Sequence, residues 1–514
     1  MTSAPKKFLF TLLKLIAAAV VLIAAAYFTD CSFSQFWARR SHLTDIVFEM
    51  IPPDFSYLPK ILAPLFATLQ MSVTGTFLGA AFALILAPLC ASNLGSPKSI
   101  SFVLRILVQL LRSFPALILA LMATFIFGLG TFAGTVAITI YTFAIMTRLT
   151  YEDIESTHMG PHQALCAMGA SSARAYFRAV VPEISPSYLT NALYLLETNV
   201  RHSSILGYVG AGGLGLILNE KVSWLEFSKV GMILLTLFIA VCIIEVLSSF
   251  LTEIVRSERK IPRLALRLII LSVSALFVFC TLTLDPPDFS HTSLSLVANM
   301  FSGFIHPDLE FFFQTGSGGL FYLLLETLAI SLVGTFIGAL IAAPLSFLST
   351  SRLVPMLFAV FFRALIAAIR SVPFLIYGLI FIRVSGPGAF TGVLTLAMCS
   401  VGLLSKRFTE AIESLDFRAY NALSDMGVPL LLRIRHTILV QLAPVFAGAV
   451  LYRFDVNIRE ASVLGLVGAG GIGAPLIFAM NHYAWPQAGS IFIGLVILVW
   501  IIDHLSSHLR KRLY

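Results

Sequence analysis

Charge is what this sequence has least of. Of its 514 residues only 12% are charged and 58% are hydrophobic, where a soluble domain carries about 25% charged residues. That shortage excludes a water-soluble enzyme or a nucleic-acid-binding domain, and the formal net charge of +8 does not revive the latter, because the basic residues cluster beside apolar runs. Tryptophan is scarce, 4 residues against 43 Phe. Cysteine is sparse and scattered: Cys31, Cys90, Cys166, Cys242, Cys280 and Cys399 include no close pair, which leaves no metal knuckle and no local redox motif. They read as small apolar fillers, and no metal site is expected. The pattern G-x-x-x-x-G-K-[ST] does not occur, so the chain has no loop of its own for a nucleoside triphosphate.

What is present is a series of long apolar runs. The first, Phe8 to Phe28, follows Lys6 and Lys7 and is longer than the core of a signal peptide. In the first half, runs follow at Ile61 to about Ala91, Leu104 to Phe127, Thr131 to Met146, Tyr188 to Leu206 and Val230 to about Leu251. The second half has runs near Leu268–Leu284, Phe321–Phe347, Leu357–Phe381, Phe390–Leu404, Val445–Leu464 and Gly489–Leu505. Residues 29–60 and Asp285–Gly319 read as loops. These runs predict about twelve spans. With the N-terminus in the cytoplasm, Arg148, Arg174 and Arg178, then Lys406, Arg407, Arg418, Arg433 and Arg435, fall inside. So do a basic linker with Arg256, Arg259, Lys260, Arg263 and Arg267, and the tail Arg510-Lys511-Arg512. The segment Asp285–Gly319, which holds no Lys or Arg, falls outside, and both termini are cytoplasmic.

The chain is one module made twice. Glu197-Thr198-Asn199-Val200-Arg201 runs into Leu206-Gly207-Tyr208-Val209-Gly210-Ala211-Gly212-Gly213-Leu214-Gly215. Asp455-Val456-Asn457-Ile458-Arg459 runs into Leu464-Gly465-Leu466-Val467-Gly468-Ala469-Gly470-Gly471-Ile472-Gly473 at an offset of 459 − 201 = 258. The modules are taken as 1–255 and 256–514. An even number of spans in each makes the halves parallel, about an axis along the membrane normal, enclosing a central path. Both glycine runs satisfy G-x-G-x-x-G, but an apolar span leads into each and no strand precedes it, so a nucleotide fold is a false match. The structural glycine bend, Gly210, Gly212, Gly213 and Gly215 with Gly468, Gly470, Gly471 and Gly473, reads instead as a re-entrant turn packed against other helices.

Each bend is preceded by a charged loop, 148–186 in the first module and 405–444 in the second. Gln163-Ala164-Leu165 with Gly169 and Pro182 stands opposite Asn421-Ala422-Leu423 with Gly427 and Val440. Small residues, a glycine and a helix restart describe a helix–turn–helix on the inner membrane surface, with a short apolar ridge for another protein's groove. The spacing of Ala164, Gly169 and Pro182 resembles the EAA loop of bacterial ATP-binding-cassette (ABC) importer permeases. The Asn-x-Arg…Leu-Gly-x-Val-Gly-Ala-Gly-Gly-x-Gly run is similar to the phosphonate permease family, PhnE. The likeness covers about 61–250 and 320–508. It departs at Gln163 and Asn421, where the family has Glu, and at the proline missing from the second loop. It also departs in carrying two modules per chain, which resembles a tandem fusion replacing a dimer.

The resemblance implies an all-α polytopic membrane protein of two parallel repeats of about six helices, ABC type I importer permease-like, in a bacterial inner membrane. It implies a non-catalytic subunit that binds no cofactor, with ATP used by two cytoplasmic ABC ATPase subunits docked at Gln163, Ala164, Gly169, Asn421, Ala422 and Gly427. A periplasmic phosphonate-binding protein would deliver phosphonate, phosphite or a related phosphorus oxyanion.

Charges inside spans mark candidate path residues. Arg201 and Arg459 sit deep in apolar runs, with Glu197 and Asp455 four residues earlier on the same face. Asn199 and Asn457 lie on another face. Arg112-Ser113 and Arg370-Ser371, again 258 apart, precede Pro115 and Pro373 in the inner half of a span. An anion path or gate and a structural role, as buried ion pair or snorkelling cation, are both consistent with these residues. Three other readings are an ABC permease for another small solute such as methionine, an ion-coupled transporter of six plus six spans, and a membrane oxidoreductase. The paired loops have no role in the second of these, and the third rests only on the glycine matches.

Overall fold

The computed structural model of the protein describes residues 19–94, 97–255, 263–287, 294–314, 316 and 318–511. Lys6, Lys7, residues 8–18 of the Phe8–Phe28 run, Arg256, Arg259, Lys260 and Arg512 lie outside the described residues. Among the described residues all regular structure is helical, so the G-x-G-x-x-G runs have no strand to follow. The chain divides into two compact units, Phe48–Ala298 and Met1–Val47 with Asn299–Tyr514.

In the first unit, α1 (Leu58–Cys90) leads by a short turn to α2 (Lys98–Ser113) and α3 (Ala116–Phe127). Then come α4 (Thr131–Ser156), α5 (Gly160–Ala167), α6 (Val181–Leu206), α7 (Leu214–Ser223), α8 (Phe227–Val255) and α9 (Arg263–Leu282). The other unit repeats the order as α10 (Leu320–Leu348), α11 (Met356–Ser371), α12 (Phe374–Ser385), α13 (Ala389–Glu413), α14 (Arg418–Asp425), α15 (Leu439–Leu464), α16 (Gly473–Asn481) and α17 (Trp485–Lys511). Most helix ends correspond at the sequence offset to the residue.

By length and hydropathy, seven of the described helices can cross a bilayer, and nine if each bent pair α2–α3 and α11–α12 is one span. Two shorter apolar helices, Ala19–Phe28 and Leu271–Leu282, fall where the first span of each module was expected. α6 is long enough, about 39 Å at 1.5 Å per residue, but its apolar character is diluted by buried Glu197, Asn199, Ser203 and Ser204. Such residues are tolerated in a span when they face other helices.

The kinks expected at Pro115 and Pro373, within the spans Leu104–Phe127 and Leu357–Phe381, are full breaks between two helices. The helix axes turn by 91° between α2 and α3 and by 87° between α11 and α12. Proline disfavours the helical conformation in the residue before it; Phe114 takes φ −81°, ψ 127° and Val372 φ −73°, ψ 123°. Each helix therefore ends and a new one starts at right angles. The two segments read as loops also contain helices: Phe33–Ala38 and Arg40–Glu49 in the first, Leu294–Ile305 and Leu309–Phe313 in the second. Asp308 caps the last of these by accepting from the Phe311 N–H at 3.1 Å, and Asp54 caps a short turn by accepting from Ser56 N–H at 3.0 Å, the usual N-cap bond.

The compact units are not the sequence repeats. α9 opens the second repeat but packs on α1 of the first, where Gln70 Nε2 donates to Cys280 O and Thr283 Oγ1, each at 2.9 Å. Phe77 and Phe277 stack at 5.0 Å, and Asp285 accepts from Thr131 Oγ1 at 2.8 Å. The helix Ala19–Phe28, at the start of the first repeat, places Phe28 5.0 Å from Tyr322 of α10. Each unit takes its opening helix from the other repeat.

Candidate functional site

The polar residues of α6 are distributed around the helix by its 3.6-residue period. Arg201 Nη1 donates to Glu197 Oε1 at 3.0 Å, and both side chains are nearly buried. In the second unit Arg459 Nη2 meets Asp455 Oδ2 at 2.9 Å. Spacing of i, i+4 places each acid one turn before its Arg, so the intramembrane cations are neutralised within their own helices. The second Asp455 oxygen, Oδ1, has no hydrogen-bond partner among the described residues.

Asn199 and Asn457 face the other way and are fully buried. Asn199 Nδ2 donates to Thr76 Oγ1 of α1 and Thr142 Oγ1 of α4, both at 2.8 Å. Asn457 Nδ2 donates to Thr335 Oγ1 at 2.6 Å and Ser400 Oγ at 2.9 Å. Each asparagine ties three helices at one point, while its carbonyl oxygen has no partner among the described residues.

The glycine bend follows directly. Gly207 starts a single tight turn that ends at Gly210, in the left-handed region at φ 82°; Gly468 does the same at φ 75°. Gly210 O accepts from Gly130 N–H at 3.0 Å and Gly468 O from Gly388 N–H at 2.9 Å, which docks the bend on the α3–α4 and α12–α13 turns. A Cβ on Gly207 would stand 2.3 Å from Leu216 N, and one on Gly465 2.1 Å from Ala474 N; backbone approaches that close admit only glycine. The start of α7 is pinned to α1, with Thr68 Oγ1 accepting from Leu214 N–H at 2.8 Å. Thr327 accepts from Ile472 N–H at 3.0 Å.

Arg112 and Ser113, with Arg370 and Ser371, stand at the corners of the bent pairs. Arg112 Nη2 donates to Gln109 Oε1 at 3.1 Å, Ser113 Oγ to Gln109 O at 2.9 Å and Ser371 Oγ to Ala368 O at 2.8 Å. Arg370 is buried. Its backbone lies against Gly402, near the middle of α13, where a Cβ would come within 3.2 Å of Arg370 N. Discontinuous helices recur at the substrate sites of transporters.

In the loops, α5 and α14 carry the predicted ridge. Gln163, Ala164, Asn421 and Ala422 are exposed. Gly169, at φ 90°, and Gly427, at φ 74°, have open space where a Cβ would stand. The bonds Gly169 N–H to Cys166 O and Ala170 N–H to Leu165 O, each 3.0 Å, close a Schellman cap, as do Gly427 to Ser424 and Val428 to Leu423 at 2.9 and 3.1 Å. The following turn roots the loop: Tyr176, Val180 and Ile184 are buried with Ala87, Ala91 and Ile154 at the ends of α1 and α4, and Ile438 and Leu442 with Ile412.

Three features were not singled out in the sequence. Arg105 of α2 pairs with Glu155 of α4 and Arg363 with Glu413, and each Arg also donates to a carbonyl at the end of α1 or α10, Cys90 O and Ser349 O, both at 2.8 Å. These pairs obey the offset and fasten the bent helices beside the loops. A third pair has no counterpart: Arg453 Nη2 meets Glu460 Oε2 at 2.7 Å, where the first repeat has Leu195 and His202. On the far end of α1 from the loop, Lys221 is held by Glu220 at 2.8 Å and Glu226 at 3.0 Å and lies 5.6 Å from the Tyr57 ring; its hydrogen bonds to those carboxylates push its ammonium pKa up.

Residues 79–260 match the profile of a family described as binding-protein-dependent transport system inner membrane component. The phosphate-import permease protein PhnE of Mycolicibacterium smegmatis is 29% identical over 472 residues, 90% of this chain and 88% of that protein. The phosphite transport system permease protein PtxC of Stutzerimonas stutzeri is 37% identical over 191 residues, 37% of this chain and 69% of that protein. The chain belongs to the binding-protein-dependent transport permeases, in their PhnE branch. It is a tandem-fused double permease with an all-α, type I importer permease-like fold, a multi-pass membrane protein and a permease subunit of an ABC importer. Membership of that family implies an ATPase and a substrate-binding protein as partners. The MetNI methionine ABC transporter in inward-facing conformations aligns at 22% identity over 39% of the permease and 99% of the solved chain, with a TM-score of 0.36.

Proposed function

We propose that the permease imports a phosphorus oxyanion, with phosphonate first among phosphonate, phosphite and phosphate. The observation that carries this is the extent of its likeness to relatives named for such anions: 90% of the chain against a phosphate-import permease and 37% identity to a phosphite permease. In this reading two cytoplasmic ATPase subunits dock on α5 and α14, at Gln163, Ala164 and Gly169 and at Asn421, Ala422 and Gly427. A periplasmic phosphonate-binding protein delivers the substrate, both termini are cytoplasmic and the membrane is the bacterial inner membrane. ATP binds to the partners and no cofactor binds to this chain.

Closure of the ATPase pair would move both loops and, through α4, α6, α13 and α15, open the path outward; hydrolysis would return it inward. Arg201 and Arg459 suit an anion because each is paired with a carboxylate of its own helix, which an oxyanion can displace as a charge-assisted acceptor. Arg112 and Arg370, with Ser113 and Ser371, are the second station, at the helix breaks. Asn199 and Asn457 act through position, fixing the angle of α6 and α15.

The test is uptake of a labelled alkylphosphonate by cells carrying the permease with its ATPase and binding protein, against Arg201→Ala with Arg459→Ala at equal expression. Uptake in the unaltered chain, lost in the double variant, is expected. Unchanged uptake would make the Arg pairs structural and leave Arg112 and Arg370 as the path. No phosphonate, phosphite or phosphate uptake by the unaltered chain would overturn the substrate class.

A further inference from the structure

The two repeats are an internal experiment on which exposed residues the loops need. Of the twenty-one paired positions from 160–180 and 418–438, four are identical: Ala164/Ala422, Leu165/Leu423, Met168/Met426 and Gly169/Gly427. Leu165 and Leu423 are partly buried and support the helix. The shared exposed side chains are therefore one alanine and one methionine, four residues apart on one helix face. Met168 and Met426 are each 76% exposed, although an unbranched thioether of that size is ordinarily buried. Each stands at a Schellman cap whose left-handed glycine opens onto empty space, so another surface can approach without obstruction. Each loop is also rooted by a buried cluster at the ends of two long helices, which makes it a rigid carrier.

The neighbouring surface has diverged. Ser172-Ala173-Arg174 stands opposite Leu430-Leu431-Leu432, and Phe177 opposite Arg435, all of them exposed. A partner that read this flank would meet a cationic and aromatic face on one loop and a leucine face on the other.

We propose that Met168 and Met426 are the side chains that seat the permease in its ATPase partner, and that the partner presents the same pocket to both, as two copies of one chain. This rests on reading the loops as docking elements. The pocket takes a methionine with a methyl group one turn before it. Methionine suits such a site because its three rotatable bonds let it fill an irregular cleft, and the cleft can change shape during the ATPase cycle without losing contact. The diverged flanks lie outside the interface.

The experiment purifies the complex from membranes through a tag on the full-length permease and measures the ATP-hydrolysing subunit retained per permease, with its identity and copy number by mass spectrometry. Met168→Glu and Met426→Glu should each cut retention by on the order of tenfold, since they place a charge in an apolar pocket. Met168→Leu and Met426→Leu should retain most of it, and Ala173→Glu and Leu431→Glu should be close to the unaltered chain. Two copies of one ATPase chain should be found. Full retention in the Met→Glu variants, loss in Leu431→Glu as large as in Met426→Glu, or two different ATPase chains would each overturn the inference while leaving the importer reading in place. No ATP-hydrolysing subunit with the unaltered permease would overturn both.

Discussion

Arg453 and Glu460 are an ion pair in one repeat and absent from the other, which allows their worth to be worked out. The Arg453 side chain is 5% exposed and that of Glu460 17%, and Arg453 Nε also donates to Ser400 Oγ at 3.2 Å. Removing one member of a buried pair leaves the other charge uncompensated, at a cost of about 3–5 kcal/mol. Replacing both members by groups that pack costs little, and the first repeat supplies such a replacement in Leu195 and His202. Arg453→Leu alone and Glu460→His alone should therefore each destabilise the permease by about 3 kcal/mol, the lower end being appropriate to the partial exposure of Glu460. The double variant should lose no more than about 1 kcal/mol, giving a coupling energy well above the additivity error of about 0.5 kcal/mol. The assay is reversible denaturant unfolding in detergent, run as a double-mutant cycle. A double variant as unstable as the sum of the singles would refute the account of the pair.

Three further outcomes follow from the geometry. Gly210→Ala should destabilise by about 1–2 kcal/mol, the usual strain of a left-handed non-glycine residue, and more than Gly468→Ala, because its Cβ meets Leu129 Cδ2 at 2.3 Å where the Gly468 position meets Ile382 at 3.1 Å; thermal unfolding in detergent ranks the two. Thr68→Ala and Thr327→Ala should each cost about 1–3 kcal/mol by orphaning a buried N–H, with Thr→Ser recovering most of it. At the far end of α1, hydrogen bonds from Lys229 and Lys221 hold the Glu226 carboxyl below its ordinary range. Its contribution to stability is present at neutral pH and lost as pH falls through the lowered pKa. Glu226→Gln should therefore be less stable than the parent at pH 7, and the two should converge as pH falls through the lowered Glu226 pKa.

The repeat made much of this structure legible. An offset of 258 residues picked out Arg201 with Arg459, the glycine bends and the two loops, and helix ends correspond at that same offset. What the sequence hid depends on partners far away in the chain. Pro115 signalled a kink but not its 91° angle, nor that Arg105 fastens α2 to Cys90 and Glu155, 15 and 50 residues away. Asn199 has the same spacing to Arg201 whether it lines a path or ties helices; only Thr76 and Thr142 decide that it ties them. Gln70 holds α9 from 210 residues away, so the division of the sequence at 255 could not show which unit α9 joins. Arg453 and Glu460 escaped because a search for repeats finds matches, and their first-repeat counterparts are Leu195 and His202.

The central claim is that this permease couples an ATPase to the import of a phosphorus oxyanion. The most direct measurement is ATP hydrolysis by the permease–ATPase complex in proteoliposomes, as the binding protein is added empty or loaded with methylphosphonate, phosphite, phosphate or methionine. Stimulation by the protein loaded with a phosphorus oxyanion, with the label accumulating on the side opposite to addition, is the predicted result. Stimulation and accumulation with methionine alone, or accumulation that persists without the ATPase, would contradict it.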